Sequence, residues 1–512
     1  MFKLIKDKSL TLSERLFYSP NQTKLFNIIC SSGKLINEDI LFMKDNVGIL
    51  LPVASLPGNH GIGDFGPNAY SFVRWLKKSH YKYWQVLPLN PVGPGNSPYM
   101  STCSEAIETR YICLDLLVKQ GLLKRVPKFQ PKTNFIHYNQ VEQFKEKYLW
   151  EAFQNFKKTS MRGYKKFKED NPWLVHYATF IVFRRKRNYQ QWNYWPKEMV
   201  HYFDNNKGVP EEYKEECEFH MFMQFIAYKQ WMKLWAYAKK LGIIIIADCP
   251  FYVGIDSTDC WLNKEQFLMD ENYHPTLVSG CPPDAFSDDG QLWGTPIYDF
   301  KKMKEDHYKF LVHRIGYLAN TCDLLRLDHF RAWDTYCVIP AEDENARRGV
   351  WWEGPRYDFF DELYRQYPNI HLIAEDLGDL FPGVHELRDH YNLPGMYIVE
   401  FTVFDTKAMS KPTQIVYPGT HDNQTLYGWA KTLTKENKEF LNKKFNNPKD
   451  IYTAMFKYIW DLPSLMTIYQ LQDLLKLDDK ARINWPGTVG EPNWCFKFRD
   501  FSWKKQVKFF NE

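Results

Sequence analysis

Short, nearly uninterrupted apolar runs recur along the chain, and they restrict its fold more than any other feature. NVGILLPVAS (46–55), YWQVLPLNPV (83–92), GIIIIADCPF (242–251), CDLLRLDHF (322–330), IHLIAEDLG (370–378), GMYIVEF (395–401), QIVYPGTHD (414–422) and the weaker LMTIYQLQD (465–473) are of strand length. They lack the in-out alternation of a sheet with one wet face, so they read as strands buried on both sides, as in a parallel sheet covered by helices. Helix-length segments separate most of them. In NAYSFVRWLKKSH, after the first run, Tyr70, Phe72, Val73 and Leu76 fall on one side. Eight such strands are what a (β/α)8 barrel needs, although a doubly wound sheet would also alternate strands with helices.

The long interval between the second and third runs departs from this rhythm. Residues 110–235 are rich in helical patterns, ending in EFHMFMQFIAYKQWMKLWAYAKKLG with Phe222, Phe225, Met232 and Trp235 recurring and Gly242 as the stop. The expected architecture is a TIM barrel over residues 46–512. It carries a large, mainly helical insertion at about 110–235, between strands 2 and 3, and further loop insertions at the C-terminal face, including a loop subdomain at about 250–300. Residues 1–45 read as an N-terminal extension.

Composition excludes several classes. The net charge of +5 is spread over 66 basic and 61 acidic residues, leaving no field that would favour nucleic acid or a membrane surface. The longest aliphatic block, IIIIA at 243–247, is far short of a membrane span. The ten cysteines form no C-x-x-C pair and no cluster with histidine, so no metal is expected, and the usage fits a reducing compartment. The N-terminus has no apolar signal core, and Asp7 and Glu14 run against a transit peptide. A cytoplasmic enzyme without cofactor is the expectation; oligomeric state is not legible.

One motif points elsewhere. PGNHGIGDFGPNAY contains Gly61, Gly63 and Gly66 in the G-x-G-x-x-G spacing of a dinucleotide turn. Such a turn needs its first glycine directly after the strand and an acid near the end of the second strand. Here the strand ends near Ser55, and no acid occurs from residue 80 to 104. The cofactor reading fails both requirements.

The chemistry lies at the strand ends. Asp248 follows IIIIA, Asp328 follows LLRL, Glu375 follows LIA, and Asp422 lies in YPGTHD. Any one acid after a strand serves equally well as a helix cap. Four of them in a barrel would converge on one mouth, since the C-terminal strand ends share a face. Two facing carboxylates, one ionised and one with a raised pKa, are what glycosidic chemistry requires. Arg326 lies on the same strand face as Asp328 and would keep it ionised, while Glu375, after an apolar run and near Asp328, would be held protonated.

LLRLDHFRA, IAEDLG and PGTHDNQT, in that order, resemble the characteristic regions of the α-amylase clan, and more closely those of the 4-α-glucanotransferases of glycoside hydrolase family 77, known as amylomaltase or disproportionating enzyme. LPVASLPGNHGIGDFG, WQVLPLNPVGPGNSPY, DCPFYV, GCPPDAFSDDGQLWGTPIYD, LPGM and RINWPG extend the resemblance over roughly residues 47–500. It implies that Asp328 is the nucleophile, Glu375 the general acid/base and Asp422 the third carboxylate, flanked by Arg326 and His421. Tyr99, Asp284 and Trp293 would belong to the sugar cleft, and Asp248 would contact sugar or support the barrel. The implied substrates are α-1,4-glucan donors and acceptors, maltooligosaccharides and glucose, in starch, glycogen or maltodextrin metabolism. Hydrolysis by the same residues is the alternative, with a non-catalytic glucan-binding protein behind it. Many α-amylases have a histidine shortly after the third-strand aspartate; the run Asp248–Tyr252 has none, which favours the transferase branch. Ala332 stands where the resembled family usually has glycine.

Overall fold

Twelve strands are present in the computed structural model, which describes residues 46–283, 288–378 and 380–505. In chain order they are β1 (Val47–Leu50), β2 (Tyr83–Gln85), β3 (Ile244–Cys249), β4 (Leu277–Cys281), β5 (Gln291–Pro296) and β6 (Leu324–Leu327), followed by β7 (Thr335–Pro340), β8 (Val350–Glu353), β9 (Leu372–Ala374), β10 (Met396–Ile398), β11 (Ile415–Tyr417) and β12 (Met466–Gln470). Eight form one sheet in the order β10-β11-β12-β1-β2-β3-β6-β9, and every pairing in it is parallel. The Ala374 amide donates to the Pro394 carbonyl at 2.9 Å and the Met396 amide to Asp376 Oδ1 at 2.7 Å, bridging the seam between β9 and β10. The result is a nearly closed TIM barrel, and its eight strands coincide with the eight apolar runs.

Burial explains that correspondence. β2, β6, β9, β10, β11 and β12 are buried at every position, and β1 and β3 at all but the first. Side chains filling the barrel and side chains under the helices must both be apolar, which erases the two-residue alternation. The helix Pro67–Lys78 buries Ala69, Phe72, Val73, Trp75 and Leu76 against the barrel.

Between β2 and β3 the chain is helical, with helices at Leu114–Lys119, Tyr138–Phe156, Tyr164–Asp170, Trp173–Lys186 and Lys214–Lys240 among others. The last of these clamps the segment after β2 with two buried glutamines. Gln224 exchanges both amide hydrogen bonds with the Ile107 backbone at 2.8 and 2.9 Å, and Gln230 does the same with Cys113 at 2.7 and 3.2 Å. Gly242, at φ +74°, ends the helix and leads into β3.

The region expected as loops at 250–300 contains β4 and β5, which join β7 and β8 in a second, antiparallel sheet of order β5-β4-β7-β8. Its strands come from the segments after β3 and after β6, so the insertions at the mouth share one scaffold. Among the described residues no helix is long and apolar enough to cross a membrane. The N-terminal extension and Asp284 lie outside the described residues.

Gly61 and Gly63 serve the chain turn after β1. Gly61 has φ +84°, and a Cβ on Gly63 would sit 1.9 Å from the Val53 carbonyl oxygen. Only glycine allows that backbone approach.

Candidate active site

The strand register brings the acids together. Asp248 on β3 pairs with Arg326 on β6, and Leu327 on β6 pairs with Ala374 on β9. Asp328 and Glu375 are the next residues on those two strands. The Asp328 amide donates to the Cys249 carbonyl at 3.0 Å and the Glu375 amide to the Leu327 carbonyl at 3.1 Å. Neighbouring strands lie about 4.8 Å apart, so the two acidic side chains leave adjacent strand ends. Asp422 reaches the same mouth from the loop after β11.

Beneath these acids is a buried layer that holds them. Arg326 Nη1 donates to both oxygens of Asp248, at 2.7 and 2.8 Å, and to Asp328 Oδ1 at 2.8 Å. The Tyr99 hydroxyl donates to Asp248 Oδ2 at 2.6 Å and lies 2.9 Å from His421 Nε2. With that hydroxyl proton committed to Asp248, the contact is satisfied when His421 carries its proton on Nε2. The same nitrogen is 3.4 Å from Asp422 Oδ2. Asp248, Arg326 and His421 are buried, whereas Asp328 and Asp422 keep 25% and 38% of their side chains exposed. The exposed acids are therefore the ones a ligand meets, and Asp248 acts as the fixed base on which Arg326 and Tyr99 are set.

Charge balance decides protonation. One guanidinium faces Asp248 and Asp328, with Asp422 and Glu375 close by. Burial pushes the Asp328 carboxyl up to about 7, because the opposing pull of Arg326 is offset by the negative charges of Asp248 and Asp422. This departs from the sequence expectation that Arg326 alone keeps Asp328 ionised: the arginine is shared, and its charge is largely taken up by Asp248. Glu375 is also held well above the usual carboxylate range, first by burial and then by Asp328, against the pull of Arg326. Asp328 takes a hydrogen bond from the guanidinium itself and Glu375 does not, so Asp328 is the better ionised of the two. Burial lowers His421, leaving a neutral imidazole.

The rim is aromatic and polar. Trp293 on β5 stands edge-to-face with His329, ring centroids 4.8 Å apart at 90°. Trp494 approaches Tyr99 and His421, with centroids at 5.6 and 5.9 Å, and its carbonyl accepts from the Tyr138 hydroxyl at 2.9 Å. Asn484 Nδ2 donates to Asp422 Oδ1 and Arg482 Nη2 to the Asp422 carbonyl, both at 2.6 Å. Among the described residues no cluster of His, Cys, Asp and Glu could hold a metal ion.

A family model described as 4-alpha-glucanotransferase matches residues 51–502. The chain belongs to the 4-alpha-glucanotransferase family. It is 35% identical to a 4-alpha-glucanotransferase of Streptococcus pneumoniae over 476 residues, covering 89% of this chain and 94% of the relative. It is 34% identical to that of Aquifex aeolicus, covering 90% and 96%. Among solved structures, the amylomaltase of Streptococcus agalactiae in complex with acarbose superposes with a TM-score of 0.86 at 31% identity, covering 90% of this chain and 97% of the other.

In this glucanotransferase several positions at the site had no role assigned from sequence. His329 lies in LLRLDHFRA and Arg482 and Asn484 in RINWPG, with Trp494 a little beyond, but their side-chain types alone do not mark them. Asp376, after Glu375 in AEDLG, is buried, pairs with Arg388 and accepts from Met396 N, thereby fixing the β9 end against β10. The signal available for His329 and Asp376 was position, each directly following a strand-end acid; Arg482, Asn484 and Trp494 carry no such marker.

Proposed function

We propose that this 4-alpha-glucanotransferase works by retaining double displacement on α-1,4-glucans. Asp328 attacks the anomeric carbon of the donor while Glu375 gives its proton to the departing 4-oxygen, and a glucosyl ester on Asp328 results. The reducing-end fragment leaves. Glu375, now a carboxylate, takes the proton from the 4-hydroxyl of a glucose or maltooligosaccharide acceptor, whose oxygen displaces Asp328 and restores an α-1,4 bond. Asp422, held by Asn484 and Arg482, accepts hydroxyl hydrogen bonds from the sugar distorted at the reacting position. Arg326 withdraws charge from Asp328 as the ester breaks and forms. Tyr99, His421 and Trp293 line the cleft, as does Asp284 in the resemblance of its motif.

The observation that carries this reading is the placement of Asp328 and Glu375 on paired strand ends, one on a guanidinium and one without a cation of its own. Cys103, Cys113, Cys217, Cys249, Cys260, Cys322, Cys337 and Cys495 form no disulfide, which supports a reducing, cytoplasmic setting.

Maltotriose tests the assignment. The wild type is expected to convert it to glucose and longer maltooligosaccharides with no net gain of reducing ends, and Asp328→Ala to abolish both products. Chain redistribution surviving in Asp328→Ala would remove Asp328 as nucleophile, and a net gain of reducing ends in the wild type would mark a hydrolase.

A further inference from the structure

His329 touches both the acid and the aromatic rim. Its backbone N–H donates to Glu375 Oε2 at 2.6 Å. Its ring stands perpendicular to Trp293 at 4.8 Å and lies 6.4 Å from both Phe251 and Tyr252. Its Nε2 is buried and has no hydrogen-bond partner.

The backbone at this residue is unusual. His329 has φ +49° and ψ +48°, the left-handed conformation, immediately after Asp328. For a residue with a Cβ this conformation carries strain of about 1–2 kcal/mol. Such strain persists only where surrounding contacts enforce it, and it gathers at functional sites. Because φ sets the angle between a residue's own N–H and its Cβ, this conformation lets one residue present its amide to Glu375 and its ring to Trp293.

We propose that His329 is a positioning residue that couples the Trp293 platform to the Glu375 carboxyl: the left-handed turn aims the amide at the acid, and the ring seats the tryptophan against which the sugar packs. This rests on the reading of Glu375 as acid/base and Trp293 as a cleft residue. The ring itself is not a proton carrier, because burial, reinforced by Arg331, holds it down at about 3 and therefore neutral.

Two variants separate the amide from the ring. His329→Gly deletes the ring and keeps the left-handed turn without strain. His329→Val disfavours that turn, since a β-branched residue rarely adopts it. A hydrogen bond to a carboxylate favours its charged form, so its loss raises the pKa of Glu375. The other groups acting on that carboxyl are Arg326 and Asp328 from the β6 end, the adjacent Asp376, and the Tyr417 hydroxyl across the barrel. All are retained in both variants.

In His329→Val the alkaline limb of the maltotriose pH–rate profile is expected to move up by about one pH unit. In His329→Gly the limb is expected to stay in place while KM rises by about two- to tenfold, the value of one aromatic contact. Combining His329→Gly with Trp293→Ala is expected to raise KM no further than Trp293→Ala alone. A folded His329→Val with its limb at the wild-type position overturns the amide's role. A His329→Gly KM equal to wild type, or effects that add fully in the double variant, overturns the ring's role. If His329→Val fails to fold, the cycle with Trp293 decides alone. Whether Glu375 is the acid is read separately, from the Glu375→Gln variant, so failure of that assignment is distinguishable from failure of the coupling.

Discussion

Arg326→Met puts the electrostatics of the site to the sharpest test. Methionine keeps an unbranched apolar stem in place of arginine's but removes the guanidinium, and with it three hydrogen bonds of 2.7–2.8 Å from one nitrogen to Asp248 and Asp328. In the wild type Asp328 lies at about 7, so at pH 7 about half of it is ionised and able to attack. A hydrogen bond to a charged group is worth about 1.5–3 kcal/mol, which at 1.36 kcal/mol per unit moves Asp328 up by about one to two units. The ionised fraction at pH 7 then falls to about one-tenth or one-hundredth, and kcat/KM falls at least in proportion. The assay is the pH dependence of glucose release from maltotriose: the acid limb is expected to shift to higher pH by about one to two units, and part of the lost activity to return on going to pH 9. Asp248 is left buried with the Tyr99 hydroxyl as its named partner, so the melting temperature falls too, consistent with about 3–5 kcal/mol for a buried pair deprived of one member. Activity reduced with the acid limb unmoved would refute the reasoning, since it would mean that Arg326 acts through shape and not through charge.

Two further outcomes follow from the same geometry. Glu375→Gln, which cannot donate the proton, is expected to lose about 10²- to 10⁴-fold in kcat on maltotriose but far less on α-maltosyl fluoride, whose leaving group departs unprotonated; equal losses on both donors would remove Glu375 as the acid. Asp473 is wholly buried, accepts from Leu426 N at 2.8 Å, and is pushed up to about 7 by burial. Its folded pKa lies above the ordinary carboxylate value of about 4, so its destabilising ionisation sets in as pH rises from about 4 to 7, and Asp473→Asn is expected to raise the melting temperature at pH 8 more than at pH 5; a shift independent of pH would show that its carboxyl is not the titrating group.

The barrel was legible because its physics is written in single residues: a strand buried on both faces is largely apolar, and the eight runs are so, with Gln85, Asp248, Arg326, Thr467 and Gln470 as exceptions within the strands. Asp328, Glu375 and Asp422 were legible as types because they stand beyond the last residues of their strands, where the chain leaves the apolar stretch. The second sheet was not. β4 and β5 are short, carry Gly280 and Gly294, and find their partners on β7 and β8 from the far side of β6, so nothing local in LVSGC or QLWGTP announces a strand. The sharing of Arg326 was equally hidden. Its spacing to Asp328 follows from the chain, but Asp248 enters through the β3–β6 register, and its charge adds to the effect of burial in raising Asp328. His329 escaped because its contribution is a backbone amide, which every residue but proline possesses.

The hydrogen bond from Tyr138 to the Trp494 carbonyl ties the insertion after β2 to the segment after β12. Tyr138 opens the helix Tyr138–Phe156 of the insertion, and Trp494 leans on Tyr99 and His421 at the reacting position. The insertion is thus a buttress for the cleft wall and not an ornament on a finished barrel. A graft that moved this catalytic mouth onto a plain (β/α)8 scaffold would carry every acid across and still leave one wall without its prop.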